Sequence, residues 1–259
     1  MAEDRSQGSM LVWGIHPVKE YLKLFPGNCL NIFVLPAFGR QKPQAALLGL
    51  ARRNGLSVIR VSTFTGLRLP AGAVHQGVAA EVRSVWSVDF QELEGLWQKE
   101  RPLVVACDQV NDPRNLGSIL RSCAAFGVHA VLLPRRKSVQ INGVVAKTSS
   151  GALFHVKICR VGNMVKALRE LKDMGLWVAG LSPESGLPLW DMDMLLPMVL
   201  VVGAEGAGLR YMVKKTCDFL AAIPQAGSVS SMNVAAAASI SLYEVVRQRF
   251  LDRQAGRGQ

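Results

Sequence analysis

The stretch RPLVVACDQVNDPRNLGSILRSCAAFG, Arg101 to Gly127, decides how the larger part of this chain folds. Its opening, Leu103 to Cys107, is a short apolar run and reads as a buried strand. Asp112 and Pro113 then force a turn, Asn115 is placed to cap a helix, and Gly127 is placed to end it. Leu116, Ile119, Leu120, Cys123 and Ala124 recur with helical spacing and form the stripe that such a helix buries. Arg114, Gly117, Ser118 and Arg121 are left on another face, where two small residues would let a phosphate or sugar approach two guanidinium groups. A capped helix with solvated arginines accounts for the same residues equally well.

Further strands are expected at Ala130 to Leu133, Val156 to Cys159, Leu176 to Leu181, Met198 to Val202 and Phe219 to Ile223, with helices between them. That alternation predicts an α/β domain with a largely parallel sheet, whose ligands gather at loops beyond the carboxyl ends of the strands. Two more strand-end loops carry unusual residues. VVGAEGAGLR, Val201 to Arg210, has Gly203, Gly206 and Gly208 in a position to allow positive φ and close backbone approach to a ligand. Its G-x-x-G-x-G spacing, late in the chain, is not the dinucleotide fingerprint G-x-G-x-x-G, which argues against an NAD-dependent Rossmann enzyme. Glu205 between those glycines suits either a site or a loop brace. IPQAGSVSSMNVAAAASISLYE, Ile223 to Glu244, leads from a strand through a polar loop into an alanine-rich helix. Ser231 or Asn233 would cap that helix, yet capping needs only one of them.

Upstream, helices are expected at Trp13 to Leu24 and Gln44 to Asn54, the second closed by Gly55, and strands at Asn31 to Leu35 and Ser57 to Val61. This is a small α/β unit of its own. Residues 10–85 carry nine Lys/Arg against Glu20 and Glu81, while residues 101–250 reach the same net +7 over about twice the length. Between them, Ser87 to Glu100 turns net negative and marks a boundary. The expected organisation is a tail at 1–9, a basic domain at 10–85, a linker at 86–100, the parallel-sheet domain at 101–250 and a second tail at 251–259.

The 259 residues are 49% hydrophobic and carry a net charge of +11, which points to an acidic partner, nucleic acid ahead of membrane. No apolar run reaches the roughly 18 residues of a membrane span and the first nine residues lack a signal-peptide core, so a cytoplasmic protein is expected. Cys29, Cys107, Cys123, Cys159 and Cys217 are scattered and suit neither a disulfide framework nor a metal site; buried thiols and no metal are expected. His16 and His75 lie in the first domain, and His129 and His155 beside strands, where a structural role is the simpler reading.

In their order and in their place after strands, the three loops resemble the signature motifs of the SpoU/TrmH family of RNA ribose methyltransferases. WGIHPVKEYL (Trp13 to Leu22) and HQGVAA (His75 to Ala80) are similar to the amino-terminal substrate domain, an L30e-like fold, of members that methylate a guanosine of bacterial 23S ribosomal RNA. The resemblance implies a SPOUT-type catalytic domain with a trefoil knot, a homodimer, S-adenosylmethionine as methyl donor and rRNA as partner. Periodicity does not reveal a knot, and general topology disfavours one. Transfer RNA or another rRNA position is the alternative substrate, and a noncatalytic RNA-binding or ribosome-assembly protein the alternative class.

Carried over residue by residue, the resemblance assigns the donor pocket to Gly203, Ala204, Gly206, Ile223, Gln225 and Met232, and the catalytic and substrate-holding positions to Asn115, Arg121, Glu205, Ser231 and Asn233. Departures are mild: Met232 stands where leucine is usual, Gln225 where methionine is common, and Ala235 where serine is common. An arginine at the position of Arg121 is proposed in the family as the base, yet a guanidinium is effectively always protonated. Positioning phosphate and ribose and stabilising alkoxide charge is the role expected of it here. Arg114 together with Arg52, Arg53 and Arg60 is expected to bind RNA.

Overall fold

In the computed structural model, residues 8–83, 87–93, 95, 101–228 and 231–256 are described, and they fall into two units. The first draws on residues 8–83 and on Gln140–His155. Its sheet contains β1 (Ser9–Trp13), β2 (Cys29–Val34), β3 (Val58–Arg60) and β4 (Val78–Arg83) in the order β1-β4-β2-β3. Strand β4 runs antiparallel to both β1 and β2, and β3 parallel to β2. Helices α1 (Ile15–Leu24) and α2 (Lys42–Arg53) belong to the unit, with Tyr21, Leu22 and Leu47 fully buried.

Several sequence expectations shift here. Ser9 to Trp13 is a strand, so Ser9 is not tail and the helix starts at Ile15. Gly14, at φ 93°, makes that reversal from strand to helix possible. HQGVAA leads into β4, a strand its short apolar run did not announce. Residues Gln140–His155, expected within the parallel-sheet domain, group with the first unit. Gly143 is packed so closely under β1 that a Cβ there would collide with the Trp13 ring and the Leu11 carbonyl.

The second unit is built on a seven-stranded sheet, β5 (Ser87–Val88), β6 (Leu103–Cys107), β7 (Ala130–Pro134), β8 (Lys157–Val161), β9 (Trp177–Leu181), β10 (Met198–Val202) and β11 (Phe219–Ala221). The order is β11-β9-β10-β6-β7-β8-β5 and each pairing is parallel. Every residue of β6, β7 and β10 is buried, as expected of strands covered on both faces. Each buried Val or Leu contributes about 1.5–3 kcal/mol relative to exposure, which is what holds these runs in the centre. Ser87 and Val88, expected in a linker, are the edge strand beside β8.

Further along lie the helices α3 (Pro113–Ala125), α4 (Gly143–Thr148, in the first unit), α5 (Met164–Asp173), α6 (Tyr211–Thr216) and α7 (Val234–Gly256). Leu251 to Gly256, expected as tail, is the end of α7. Asp112, not Asn115, caps α3: its carboxylate accepts from the Arg114 amide at 2.7 Å, and Pro113 takes the first helical position. Gly117 lies on the buried stripe with Leu116 and Leu120 rather than on an open face. The register sets Cys107 opposite Val202, so the residues that follow, Asp108 and Gly203, leave the sheet side by side.

Candidate active site

Where β6 and β10 end, the chain draws two loops together through an ion pair between buried Asp108 and half-exposed Arg210. Asp108 has no solvent exposure; its carboxylate accepts from the Arg210 amide at 3.0 Å and from Nε at 2.8 Å, and its ion pair with Nη2 is 2.6 Å long. Between β10 and Arg210 the chain makes a tight turn, with Ala204 and Gly208 exchanging hydrogen bonds at 3.0 and 2.9 Å. Gly206 and Gly208 have φ of 78° and 66°, as expected. Gly203 does not; it is glycine because a Cβ would collide with the Gly208 carbonyl and the Leu209 amide. The turn presents Glu205, exposed, at its tip.

Three side chains converge there. The Asn115 amide donates to Glu205 Oε2 at 3.0 Å, and the Asn233 amide donates to Asn115 Oδ1 at 3.0 Å and to Glu205 Oε1 at 3.1 Å. Asn233 also caps α7, its Oδ1 accepting from the amides of Ala235 at 3.0 Å and Ala236 at 3.3 Å. Capping and site-building are thus both met, because the two ends of one amide point opposite ways. Arg114 and Arg121 are exposed on α3, seven residues and so two turns apart on one face.

Beside this cluster lies a pocket of about 690 Å³, open mouth included. Gly203, Ala204, Gly206, Ile223, Gln225 and Met232 all line it, together with Glu205 and Ser231. Among the described residues, Asn115, Arg121 and Asn233 stand outside the lining, so Glu205 is the side chain common to pocket and cluster. Sequence reasoning missed Leu181, Ser182 and Pro183, which form another wall from the end of β9. Their signal was present as a strand followed by small and polar residues. It also missed Asp108 and Arg210, whose partnership depends on strands far apart in sequence.

The walls suit an adenosyl sulfonium compound. Leu181, Val202, Ala221, Ile223, Met232 and Val234 offer an apolar bed for an aromatic base, and Ser182, Gln225 and Ser231 add polar groups. Glu205 is the one charged side chain among the described lining residues, so no fixed cation opposes a positive sulfonium. Among the described residues, no group of three or more His, Cys, Asp or Glu is placed to hold a metal ion.

Residues 11–85 match the family of RNA 2′-O ribose methyltransferase substrate binding domains, and residues 102–243 match the SpoU rRNA Methylase family. The chain belongs to the SpoU rRNA methylase family. Similar members of known assignment include the 23S rRNA (guanosine-2′-O-)-methyltransferase RlmB of Yersinia pestis, 40% identical over 94% of this chain and 99% of that protein. The protein of the same name from Pseudomonas aeruginosa is 37% identical over 92% of this chain and 96% of its own. Among solved structures, the SpoU methyltransferase AviRb from Streptomyces viridochromogenes in complex with AdoMet superposes with a TM-score of 0.78 at 26% identity, covering 96% of this chain and 94% of that one. SpoU membership thus rests on both units of the chain.

Outside the site, two histidines and the cysteines have structural surroundings. His129 Nδ1 accepts from the Leu103 amide at 3.1 Å and His155 pairs with Glu20 at 3.0 Å. All five cysteines are free thiols; burial pushes Cys29 up to about 11 and Cys107 up to about 12, which suits inert core residues. Arg52 and Arg53 are exposed at the end of α2, and Arg60 donates to the Pro36 carbonyl at 3.0 Å.

Proposed function

We propose that this protein is an S-adenosylmethionine-dependent RNA 2′-O-ribose methyltransferase whose substrate is a guanosine of 23S rRNA. The observation that carries the reading is Glu205, which forms part of the pocket wall and holds Asn115 and Asn233 at its edge. Donor pocket and acceptor-facing polar groups would therefore form one hydrogen-bonded assembly. The similarity to the RlmB proteins, which runs through both units, supports the choice of rRNA and of guanosine.

S-adenosylmethionine supplies an electrophilic methyl group when bound. The loop at Gly203 to Gly208, with Ile223, Gln225 and Met232, would hold it. Asn115 and Asn233, locked by Glu205, would set the ribose, and Arg121 the adjoining phosphate. Holding both partners in line for attack is worth about 7 to 11 kcal/mol of barrier. Arg121 would also stabilise alkoxide charge as the 2′ proton passes to phosphate or water. Ser231 shapes the wall between the two reactants.

A homodimer and the family's trefoil knot belong to this reading. The dimer is supported by α7, where Ile240, Tyr243, Phe250 and Leu251 are exposed on one stripe of the helix. The knot is supported by the return of α7 from the β11 edge to pack on α3, where Ser122 and Ser239 hydroxyls meet at 2.7 Å. Among the described residues no helix is long and apolar enough to cross a membrane, and a cytoplasmic location follows from the proposed substrate.

The test is methyl transfer from labelled S-adenosylmethionine to 23S rRNA, followed by alkaline hydrolysis. An alkali-resistant dinucleotide containing guanosine supports the reading. Methylation confined to a base, or no transfer to any RNA, overturns it; transfer to tRNA alone keeps the reaction and replaces the substrate.

A further inference from the structure

A second basic feature stands at the same end of the parallel sheet and is used by nothing described so far. The loop PRRKSV, Pro134 to Val139, leaves β7, the strand next to β6. Arg160 closes its base: one guanidinium donates to the Pro134 carbonyl at 3.3 Å and to the Val139 carbonyl at 3.0 Å. Arg135 is drawn into the same base, its Nε donating to the Arg160 carbonyl at 3.2 Å and its amide to the Val161 carbonyl at 2.9 Å. The Val139 amide in turn donates to the Val110 carbonyl at 3.2 Å, which ties the loop to the segment that opens into Asp112, Arg114 and Asn115.

This leaves Arg136 and Lys137 at the tip, both exposed. Among the described residues neither has an ion pair or a side-chain hydrogen bond with a protein group. Lys137 has φ 56°, a left-handed conformation that glycine or asparagine would adopt at less cost. A turn that keeps a lysine there, over a base tied by four hydrogen bonds, fixes the backbone from which two positively charged side chains extend.

We infer that Arg136 and Lys137 bind backbone phosphates of the RNA strand that flanks the target ribose, continuing the cationic track of Arg114 along the carboxyl edge of the sheet. The inference rests on the reading of the neighbouring site as an RNA methyltransferase centre. Phosphate is the fitting ligand because the tip offers charge and donors without an apolar or aromatic surface for a base. Phosphate contacts of this kind position a substrate and carry no sequence information.

The test compares wild-type protein with Arg136→Ala/Lys137→Ala and with Arg136→Ala/Lys137→Gly, the latter keeping the left-handed turn without its charge. RNA affinity is measured against salt with an rRNA fragment, and S-adenosylmethionine affinity and methyl transfer are measured separately. Both variants should bind RNA several-fold more weakly, and the log–log salt slope should fall by about 1.4 to 2, the value for two lost phosphate contacts. Donor affinity should not change. RNA affinity and slope equal to wild type in the glycine variant would overturn the inference, whatever the enzyme methylates. A wild-type protein that binds RNA with the steep slope but transfers no methyl would overturn the functional reading alone.

Discussion

Arg210 encloses the carboxylate of Asp108 with its main-chain amide and its guanidinium, across a separation of 102 residues, and Asp108 has no contact with solvent. The pair anchors the far end of the turn that presents Glu205. The Arg210 guanidinium is half exposed, so its removal lets water reach the Asp108 carboxylate and leaves the main-chain amide contact in place, at a cost of about 1–3 kcal/mol. Arg210→Ala should therefore lower stability by that order in urea unfolding. A loss under about 1 kcal/mol would class the pair with ordinary surface salt bridges.

Gly203→Ala tests the close approach within the turn. The added methyl meets the Gly208 carbonyl and Leu209 amide, backbone atoms that can yield only by moving the loop. Overpacking of this kind costs about 1–3 kcal/mol, and here the displacement falls on the pocket wall. Calorimetric titration should show S-adenosylmethionine binding weakened more than tenfold. Unchanged donor affinity would remove the turn from the donor site.

Arg121→Ala should nearly abolish turnover while leaving donor affinity within a few fold, since Arg121 stands outside the described pocket lining. Arg121→Lys should fail too, because an ammonium keeps the charge and loses the planar fork. Wild-type turnover in the lysine variant would show that a point charge suffices. For Asn115→Ala and Glu205→Gln, the joint loss in kcat should be smaller than the two single losses combined, because the side chains share one hydrogen-bonded assembly.

Arg52, Arg53 and Arg60 neutralised together should flatten the salt dependence of rRNA binding by up to about 2 to 3 units of log–log slope. The three residues lie in the first unit, so donor affinity should stay as it is. An unchanged slope would mean that these charges serve solubility.

Helix α7 carries a pH-sensitive contact. Arg247 donates to Glu244 through Nε and Nη2, each at 2.7 Å, and Gln248 donates at 2.7 Å; against the opposing effect of burial, these hold the carboxyl below its ordinary value of 4.5. A depressed folded-state value means stability present above the ordinary value and lost as pH falls through the folded one. Wild type should thus lose more stability than Glu244→Gln when acidified from pH about 6 to about 3. Parallel acid sensitivity of the two proteins would count against the contact.

Local pattern alone determined much of this protein. The apolar runs at Leu103 to Cys107 and Met198 to Val202 are strands because nothing in them can face water, and three strand-end loops stood out because Gly, Asn and Ser there serve no core. The residues expected from those loops to form a donor pocket line one cavity. What tertiary structure decided was whatever depended on partners distant in sequence. Ser9 to Trp13 becomes a strand by pairing with Val78 to Arg83, which pairs in turn with β2, and Ser87 and Val88 by pairing with β8. Asn115 is freed for Glu205 because Asp112 takes the cap, a choice between two competent residues that local chemistry leaves open. Asp108 and Arg210 are unremarked polar residues until the parallel register of β6 and β10 sets the two strand ends together. Propensity and periodicity act over a few residues and are written in the chain; register, burial and ion pairing are set by the packed sheet, where the energy of each contact depends on what the rest of the fold has already excluded from water.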